Sequence, residues 1–210
     1  VKESHVPHRN ANLHSTRRYD HTPQKSSAWP HLWWPSISFM FLFPNGLLGS
    51  IVAHLISIKT PVGILRVEGV KAITRVEWGE SQVSSPNKLL IDAKSQILDY
   101  FNGDLRNFKL PILPSGTPFQ IYVWHNLTKI PYAQTLTYGK LALRLKTSPR
   151  AIGGACRSNP IPLIIPCHRI VGQNGNLTGF SGGDGVRTKE ALLLLEQRTL
   201  RKSLGDYRKH

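Results

Sequence analysis

The sequence has very few cysteines. Only Cys156 and Cys167 occur among 210 residues, too few for a disulfide-stabilised scaffold. We therefore expect reduced thiols and an intracellular location, cytoplasmic or, in a eukaryote, nuclear. A reduced thiol can act as a nucleophile, so either cysteine is a candidate for chemistry.

Acidic residues are also scarce. Asp and Glu number 12 against 27 Lys and Arg, which gives a formal net charge of +15. No acidic residue lies in 105–183. The same stretch carries these basic residues: Arg106, Lys109, Lys129, Lys140, Arg144, Lys146, Arg150, Arg157 and Arg169. Unopposed positive charge of this extent favours a polyanionic partner such as nucleic acid, although a solvated basic face has the same composition.

The chain lacks a long uninterrupted apolar run. Residues 36–58 are apolar but are broken by Pro44-Asn45-Gly46 and by His54, whereas a membrane-spanning helix needs about 20 apolar residues. The polar stretch before this segment is too long for a signal peptide. We expect no membrane association, and residues 1–52 to be a disordered or loosely packed extension. The spacing of its five histidines predicts no metal site.

The remaining sequence predicts an α/β fold with two domains. Residues 53–110 predict a small domain, an antiparallel sheet plus a helix over 87–101. Its strands are predicted over 54–58, 63–67 and 72–78. Residues 111–117 form a proline-rich linker. Residues 118–200 predict a mostly helical domain, and 201–210 a basic tail.

Within the second domain, helices are predicted over 120–128, 137–145, 149–157 and 189–197. The middle two, joined by a short turn, predict a helix-turn-helix. Gly153 and Gly154 each cost about 1 kcal/mol of helix stability relative to Ala. We expect them to permit close approach to another surface, either DNA or a neighbouring helix.

One segment has the composition of an active site. The apolar run 163–165 predicts a short buried strand, ended by Pro166, which presents Cys167 beside His168 and Arg169. Positive charge stabilises a thiolate, so we expect a lowered pKa for Cys167. A buried structural cysteine is the alternative, and it is our interpretation of Cys156.

Several motifs in one order resemble those of the O6-alkylguanine-DNA alkyltransferases (methylated-DNA–protein-cysteine methyltransferases). The active-site signature is Asn159-Pro160 followed by Pro166-Cys167-His168-Arg169. The other motifs are Leu136-Thr137-Tyr138-Gly139, Ser148-Pro149-Arg150-Ala151, Arg157-Ser158-Asn159-Pro160 and Gly179-Phe180-Ser181-Gly182-Gly183. The resemblance covers most of 118–197, is loose over 53–110 and is absent over 1–50.

The resemblance implies a catalytic set. Cys167 accepts the alkyl group, His168 takes the thiol proton through a water, and Glu196 orients the histidine. Asn159 is the hinge between the recognition helix and the active site. Tyr138 helps to turn the nucleotide out and protonates the guanine oxygen.

The resemblance also implies a DNA surface and a pocket. The expected DNA contacts are Tyr138, Arg150, Ala151, Gly153, Gly154 and Arg157, with Arg150 filling the place of the flipped base. The expected pocket residues are Pro166, Asn176, Phe180 and Ser181. A plain phosphate contact by Arg150 and a core position for Tyr138 are the alternatives.

The implied function is single-turnover repair by a monomer. Its partner is duplex DNA with alkylated guanine, O4-alkylthymine being a further substrate, and it needs no cofactor. The helix-turn-helix is about two residues shorter than in many members of the family, Phe180 replaces a common tyrosine, and Asp184-Gly185 resembles an insertion. These departures bear on the range of alkyl groups.

Two other functions fit part of the sequence. A Cys-His thiol hydrolase would use the same residue types, but adjacent residues on a strand point to opposite faces, which fits a water-mediated relay better than a direct pair. A helix-turn-helix regulator without chemistry would not need Cys167, and it would prefer particular DNA sequences.

Overall fold

The computed structural model describes residues 54–80 and 86–207, with side chains to residue 204. The predicted extension over 1–52, including its five histidines, lies outside these residues, so the predictions on it remain predictions. Within the described residues, no helix is both long enough and apolar enough to cross a membrane.

A three-stranded antiparallel sheet opens the described chain. Its strands, in spatial order, are β1 (Leu55–Thr60), β2 (Gly63–Gly69) and β3 (Ile73–Trp78). Alternate residues of β1 and β2 are buried, as expected for a sheet with one covered face, and in β3 Ile73 and Val76 are buried. Gly63 has φ 104° in the tight turn between β1 and β2, a conformation that favours glycine.

Helix α1 (Lys88–Asn102) covers that face of the sheet. Asn87 caps its first turn by accepting a hydrogen bond from the Leu90 amide, and Gly103, with φ 88°, ends it. The following linker is joined to β3, because the amide of Ile73 donates to the Pro111 carbonyl (2.8 Å) and that of Leu113 to the Ile73 carbonyl (2.8 Å).

Helices dominate the rest of the described chain. They are α2 (Pro118–Leu127), α3 (Tyr138–Arg144), α4 (Pro149–Arg157) and α5 (Val186–Tyr207). Ser148 caps α4 by accepting from the Ala151 amide, and Pro149 occupies its first turn. The buried indole of Trp124 on α2 donates to the Ala155 carbonyl on α4 at 2.8 Å, which fixes α4 against α2. The predicted fold class is confirmed, although α5 runs well beyond the expected 189–197.

The predicted buried strand over 163–165 is wrong. Leu163 has φ 75°, and the Ile165 amide donates to the Ile161 carbonyl at 2.9 Å, so the chain makes a tight turn here. The run is buried as expected, but a short apolar run does not specify a strand, and neighbouring prolines lack the amide that a ladder needs. Instead, a 3-10 turn over Cys167–Arg169 leads into β5 (Ile170–Val171), which pairs in parallel with β4 (Leu136–Thr137).

Candidate active site

Cys167 begins the 3-10 turn and is buried, with 6% of its surface exposed. Its Sγ accepts a hydrogen bond from Asn159 Nδ2 at 3.2 Å. The same amide nitrogen donates to the Ile165 carbonyl (2.9 Å), and Asn159 Oδ1 accepts from the Ile161 amide (3.0 Å). Asn159 therefore connects the end of α4 to the turn that carries the thiol.

The pKa of the Cys167 thiol is raised, not lowered as the sequence predicted. Burial is the main cause, and it outweighs the opposing effects of the Asn159 hydrogen bond and the positive charge of Lys189. The expected cations do not help, because burial lowers the pKa of His168 and keeps it neutral, while Arg169 is engaged by a carboxylate. The free protein at neutral pH therefore holds a thiol that must lose its proton during the reaction.

His168 is fully buried and contacts Glu196, with Nε2 3.0 Å from Oε1. A neutral imidazole beside an ionised carboxylate donates from this nitrogen. Its Nδ1 is then an acceptor, and it has no hydrogen-bond partner among the described residues. The tautomer held by Glu196 thus leaves Nδ1 able to accept a proton.

Glu196 is the centre of a buried hydrogen-bond network. Arg169 Nη2 donates to Oε1 at 2.8 Å, Tyr100 Oη donates to Oε1 at 2.8 Å, and the Ala133 amide donates to Oε2 at 2.8 Å. Burial alone would raise the pKa of Glu196, but the hydrogen bonds from His168 and Arg169 and the positive charge of Arg169 bring it to about 2. The carboxylate is therefore ionised at any physiological pH.

Sequence reasoning missed Arg169 and Tyr100 as members of this network. Arg169 is inside the recognised motif, but its burial was not predicted. Tyr100 lies among the buried apolar residues of α1. In the sequence it cannot be distinguished from an aromatic residue of the core. Nothing in the sequence connects it to a carboxylate 96 positions later.

A cavity of about 140 Å³ lies beside the thiol. Its walls include Cys156, Asn159, Cys167, Phe180, Ser181 and Gly182, and also Trp78 at the end of β3. Trp78 was not predicted. Two expected pocket residues lie elsewhere: Pro166 is buried next to Cys167 without lining the cavity, and Asn176 is exposed on the loop after β5.

An open groove of about 1280 Å³ adjoins this cavity, since Gly179 lines both. Most of the predicted DNA contacts line it: Tyr138, Arg150, Gly153, Gly154 and Arg157. Ala151 lies half-buried on α4 and is not among the lining residues. Lys140 adds a third cation, and no acidic residue of the described chain lines the groove.

The small residues of α4 face this groove. A Cβ placed on Gly154 would meet nothing within 4 Å in the described structure, and one on Gly153 would only reach the Tyr138 ring at 4.0 Å. A neighbouring helix therefore does not explain the two glycines. The alternative that the sequence left open, close approach of an external partner, is the one that this geometry favours.

Tyr138 stands where the groove meets the cavity. Its hydroxyl donates to the Thr178 carbonyl at 3.3 Å, and burial raises its pKa to about 12. The phenol therefore stays protonated at neutral pH, and its hydroxyl is a hydrogen-bond donor. Lys189, which is fully buried, donates to the Ile170 and Thr178 carbonyls and lies 5.8 Å from the Tyr138 ring centroid. It was not predicted, and it connects the loop after β5 to the strand.

No cluster of three or more His, Cys, Asp or Glu side chains suited to a metal ion occurs within 54–80 and 86–207. The titratable groups of the site are those of the Glu196 network, the two thiols, Tyr138 and Lys189.

Comparison with known proteins identifies the family. Residues 118–198 match the family described as 6-O-methylguanine DNA methyltransferase, DNA binding domain. The methylated-DNA–protein-cysteine methyltransferase of Methanosarcina acetivorans is 40% identical over 136 residues, which cover 64% of this chain and 85% of that protein. The chain belongs to the methylated-DNA–protein-cysteine methyltransferase family. The resemblance found in the sequence motifs is confirmed.

Other members of the methyltransferase family match along most of their length. The constitutive enzyme of Bacillus subtilis is 36% identical over 153 residues, covering 66% of this chain and 92% of the relative. A crystal structure of the Mycobacterium tuberculosis O6-methylguanine methyltransferase has a TM-score of 0.62 and 35% identity, covering 70% of this chain and 94% of that one. A structure of M. tuberculosis OGT in complex with DNA gives the same values.

Proposed function

We propose that this chain is a DNA repair protein that removes an alkyl group from O6 of guanine in duplex DNA and keeps it on Sγ of Cys167. The observation that carries the proposal is the placement of a buried thiol in a small cavity that opens beside a cationic groove. The names of the relatives support a methyltransferase that acts on DNA and on a protein cysteine, and the M. tuberculosis complex supports DNA as the partner.

The groove suits duplex DNA. Its cations are available to phosphates because no carboxylate of the described chain lines it. The O6 atom of guanine is inaccessible inside the stack, so the nucleotide must be rotated out, which costs a few kcal/mol. Arg150 is exposed near the start of α4. In this proposal it fills the vacated position, and the cavity beyond Gly179 receives the base.

The chemistry is a displacement at the alkyl carbon. The thiol proton passes to His168 Nδ1 through an intervening water, and Glu196 stabilises the imidazolium that forms. The S–C bond forms as the C–O bond breaks, and the electron pair of that bond goes to the guanine oxygen. Tyr138 donates a proton to this oxygen, so guanine leaves as a neutral base, and the proton taken by His168 returns to the phenolate through solvent.

The product on the protein is a thioether. A thioether is not hydrolysed by water under mild conditions, and the described side chains offer no group that would regenerate the thiol. We therefore propose one turnover per molecule. Because one chain lines both the cavity and the groove, we also propose that the protein acts as a monomer. O4-alkylthymine presents the same alkyl–oxygen bond on a smaller ring and belongs to the proposed substrate range.

Single-turnover kinetics test this function. The protein is mixed with an excess of duplex carrying one O6-methylguanine, and repaired base is measured over time. We expect a burst that stops at one equivalent, no burst with Cys167→Ser, and methyl still on Cys167 with Cys156→Ser. Continued turnover would indicate a hydrolase, and binding without methyl loss would indicate a DNA-binding regulator.

A further inference from the structure

Trp78 brings the N-terminal sheet into the wall of the thiol cavity. It is the last residue of β3, and its side chain lines the same 140 Å³ space as Cys167. Its indole Nε1 donates to the Val62 carbonyl at 2.9 Å. Its ring meets Phe180 edge to face, with centroids 5.9 Å apart and an interplanar angle of 84°. These two contacts fix the orientation of the indole.

The indole also packs against the glycines that follow Phe180. A Cβ built on Gly182 would lie 2.4 Å from Cζ3 of Trp78, and one on Gly183 would lie 2.9 Å from its Nε1. A real Cβ atom essentially never lies this close to a non-bonded heavy atom. Trp78 therefore occupies the volume that a side chain at position 182 would otherwise fill, and only glycine at that position lets the loop close against it.

The volume of the cavity limits the size of the alkyl group that it can hold together with the flipped base. An engineered protein cavity of roughly 150 Å³ admits one benzene ring, and the cavity beside Cys167 measures about 140 Å³. A purine is larger than benzene, so the flipped base already fills this space and extends towards the groove. Little space therefore remains for the alkyl substituent, which must fit between the base, Sγ and the walls of the cavity.

We propose that Trp78 is a specificity-determining residue that restricts the reaction to small alkyl groups, methyl and ethyl, and excludes groups of benzyl size. The proposal rests on the proposed function, because it names the substrate class of the same site. A larger group needs the indole to move, and movement breaks the hydrogen bond to Val62 and the ring contact with Phe180.

The test compares two substrates in one protein. Single-turnover rates are measured for O6-methylguanine and O6-benzylguanine in the same duplex, with wild-type protein and with Trp78→Ala. We expect the benzyl-to-methyl rate ratio to rise by at least about tenfold in the variant, the scale on which pocket contacts discriminate substrates. A purely structural tryptophan would lower both rates together and leave the ratio unchanged, and that result would overturn the proposal.

Two further measurements keep the test decisive. Trp124→Phe alters a buried tryptophan that does not line the cavity, and its ratio should equal that of the wild type. Trp78→Phe removes less volume than Trp78→Ala and should give an intermediate benzyl-to-methyl rate ratio. If the Trp78→Ala protein does not fold, the Trp78→Phe protein takes its place in the test.

A DNA-free arm separates this proposal from the proposed function. Free O6-methylguanine and O6-benzylguanine bases place the purine in the cavity without DNA, and peptide mapping reports the alkylation of Cys167 alone. Trp78→Ala should raise the benzyl-to-methyl ratio here too. If wild-type protein does not repair O6-methylguanine but this ratio rises, the proposed function fails and the steric role of Trp78 stands. If repair occurs and neither ratio moves, only the role of Trp78 fails.

Discussion

The guanidinium of Arg169 lies 2.8 Å from the carboxylate of Glu196, and both side chains are almost fully buried. His168, the preceding residue, contacts the same carboxylate. One short turn therefore delivers both the neutral base and a permanent cation to a single acidic residue. The cation keeps that residue ionised, and the ionised carboxylate holds the histidine in the tautomer with a free Nδ1.

Removing the cation should destabilise the protein. We expect Arg169→Leu to lower the free energy of unfolding by about 3–5 kcal/mol, because it leaves Glu196 as an uncompensated buried charge. Urea unfolding followed by circular dichroism measures the change. Arg157→Leu, at an exposed position of α4, is the matched control and should change stability by less than about 0.5 kcal/mol. Equal effects of the two substitutions would show that the buried pair contributes little.

Because the pKa of Glu196 is lowered, the free energy of unfolding should decrease in acid. The pKa of Glu196 falls from 4.5 to about 2 on folding, so the unfolded chain takes up its proton first as pH falls. Its contribution is complete above pH 4.5 and is lost as pH falls towards 2. Glu196→Gln should lack this part of the pH dependence when unfolding is measured between pH 2 and 6. Parallel pH curves for the two proteins would contradict the lowered pKa.

Thiol reactivity should increase with pH throughout the neutral range. Burial raises the pKa of Cys167 above the ordinary 9.0, and only the thiolate is nucleophilic. We expect the rate of iodoacetamide modification at Cys167, followed by peptide mapping, to rise about tenfold per pH unit from 6 to 9 without a plateau. A plateau below pH 8 would mean that the cation-rich motif lowers the pKa after all.

A substitution on the open face of α4 should have opposite effects on protein stability and on DNA binding. Gly154→Ala places its methyl group in free space, so helix propensity should stabilise the protein by about 1 kcal/mol. If DNA approaches this face closely, the same methyl group should weaken duplex affinity, measured by fluorescence anisotropy. Leu143→Ala, at an exposed position of α3 outside the groove, is the binding control. A stabilised variant with full affinity would place DNA elsewhere.

Arg150 should matter for duplex DNA and not for the chemistry. Arg150→Ala should still react with free O6-methylguanine base at the wild-type rate, because the thiol cavity does not include this residue. Repair of the duplex should fall by at least about tenfold, since alanine is too short to fill the gap left by the flipped base. If the loss instead follows salt concentration and is matched by Lys140→Ala, Arg150 is a phosphate contact.

Much of the fold follows from local patterns. The apolar period of α1 and its Asn87 and Gly103 ends predict a helix that the structure contains, and Ser148-Pro149 marks the start of α4. The strand over 163–165 could not be predicted correctly, because burial alone does not separate a turn from a strand in three apolar residues. The structure brings together the catalytic residues that the motifs implied, Cys167, His168, Asn159 and Glu196.

The parts that were missed depend on contacts between distant segments. Tyr100 and Trp78 enter the site from the N-terminal sheet and helix, where neither residue stands in a motif. The pKa of Cys167 was misjudged because the sequence shows that two basic residues follow it, but not that one is neutral and the other is paired. Charge counts in a sequence do not report desolvation, which decides the pKa of a buried group.

The most direct test of the account follows the methyl group itself. The protein is incubated with one equivalent of duplex carrying O6-methylguanine, and intact mass and peptide mapping are then measured. We expect every active molecule to gain a single methyl group, located on the peptide that contains Cys167, with unmodified guanine left in the DNA. Methyl on Cys156, or repaired DNA with an unmodified protein, would contradict the central claim.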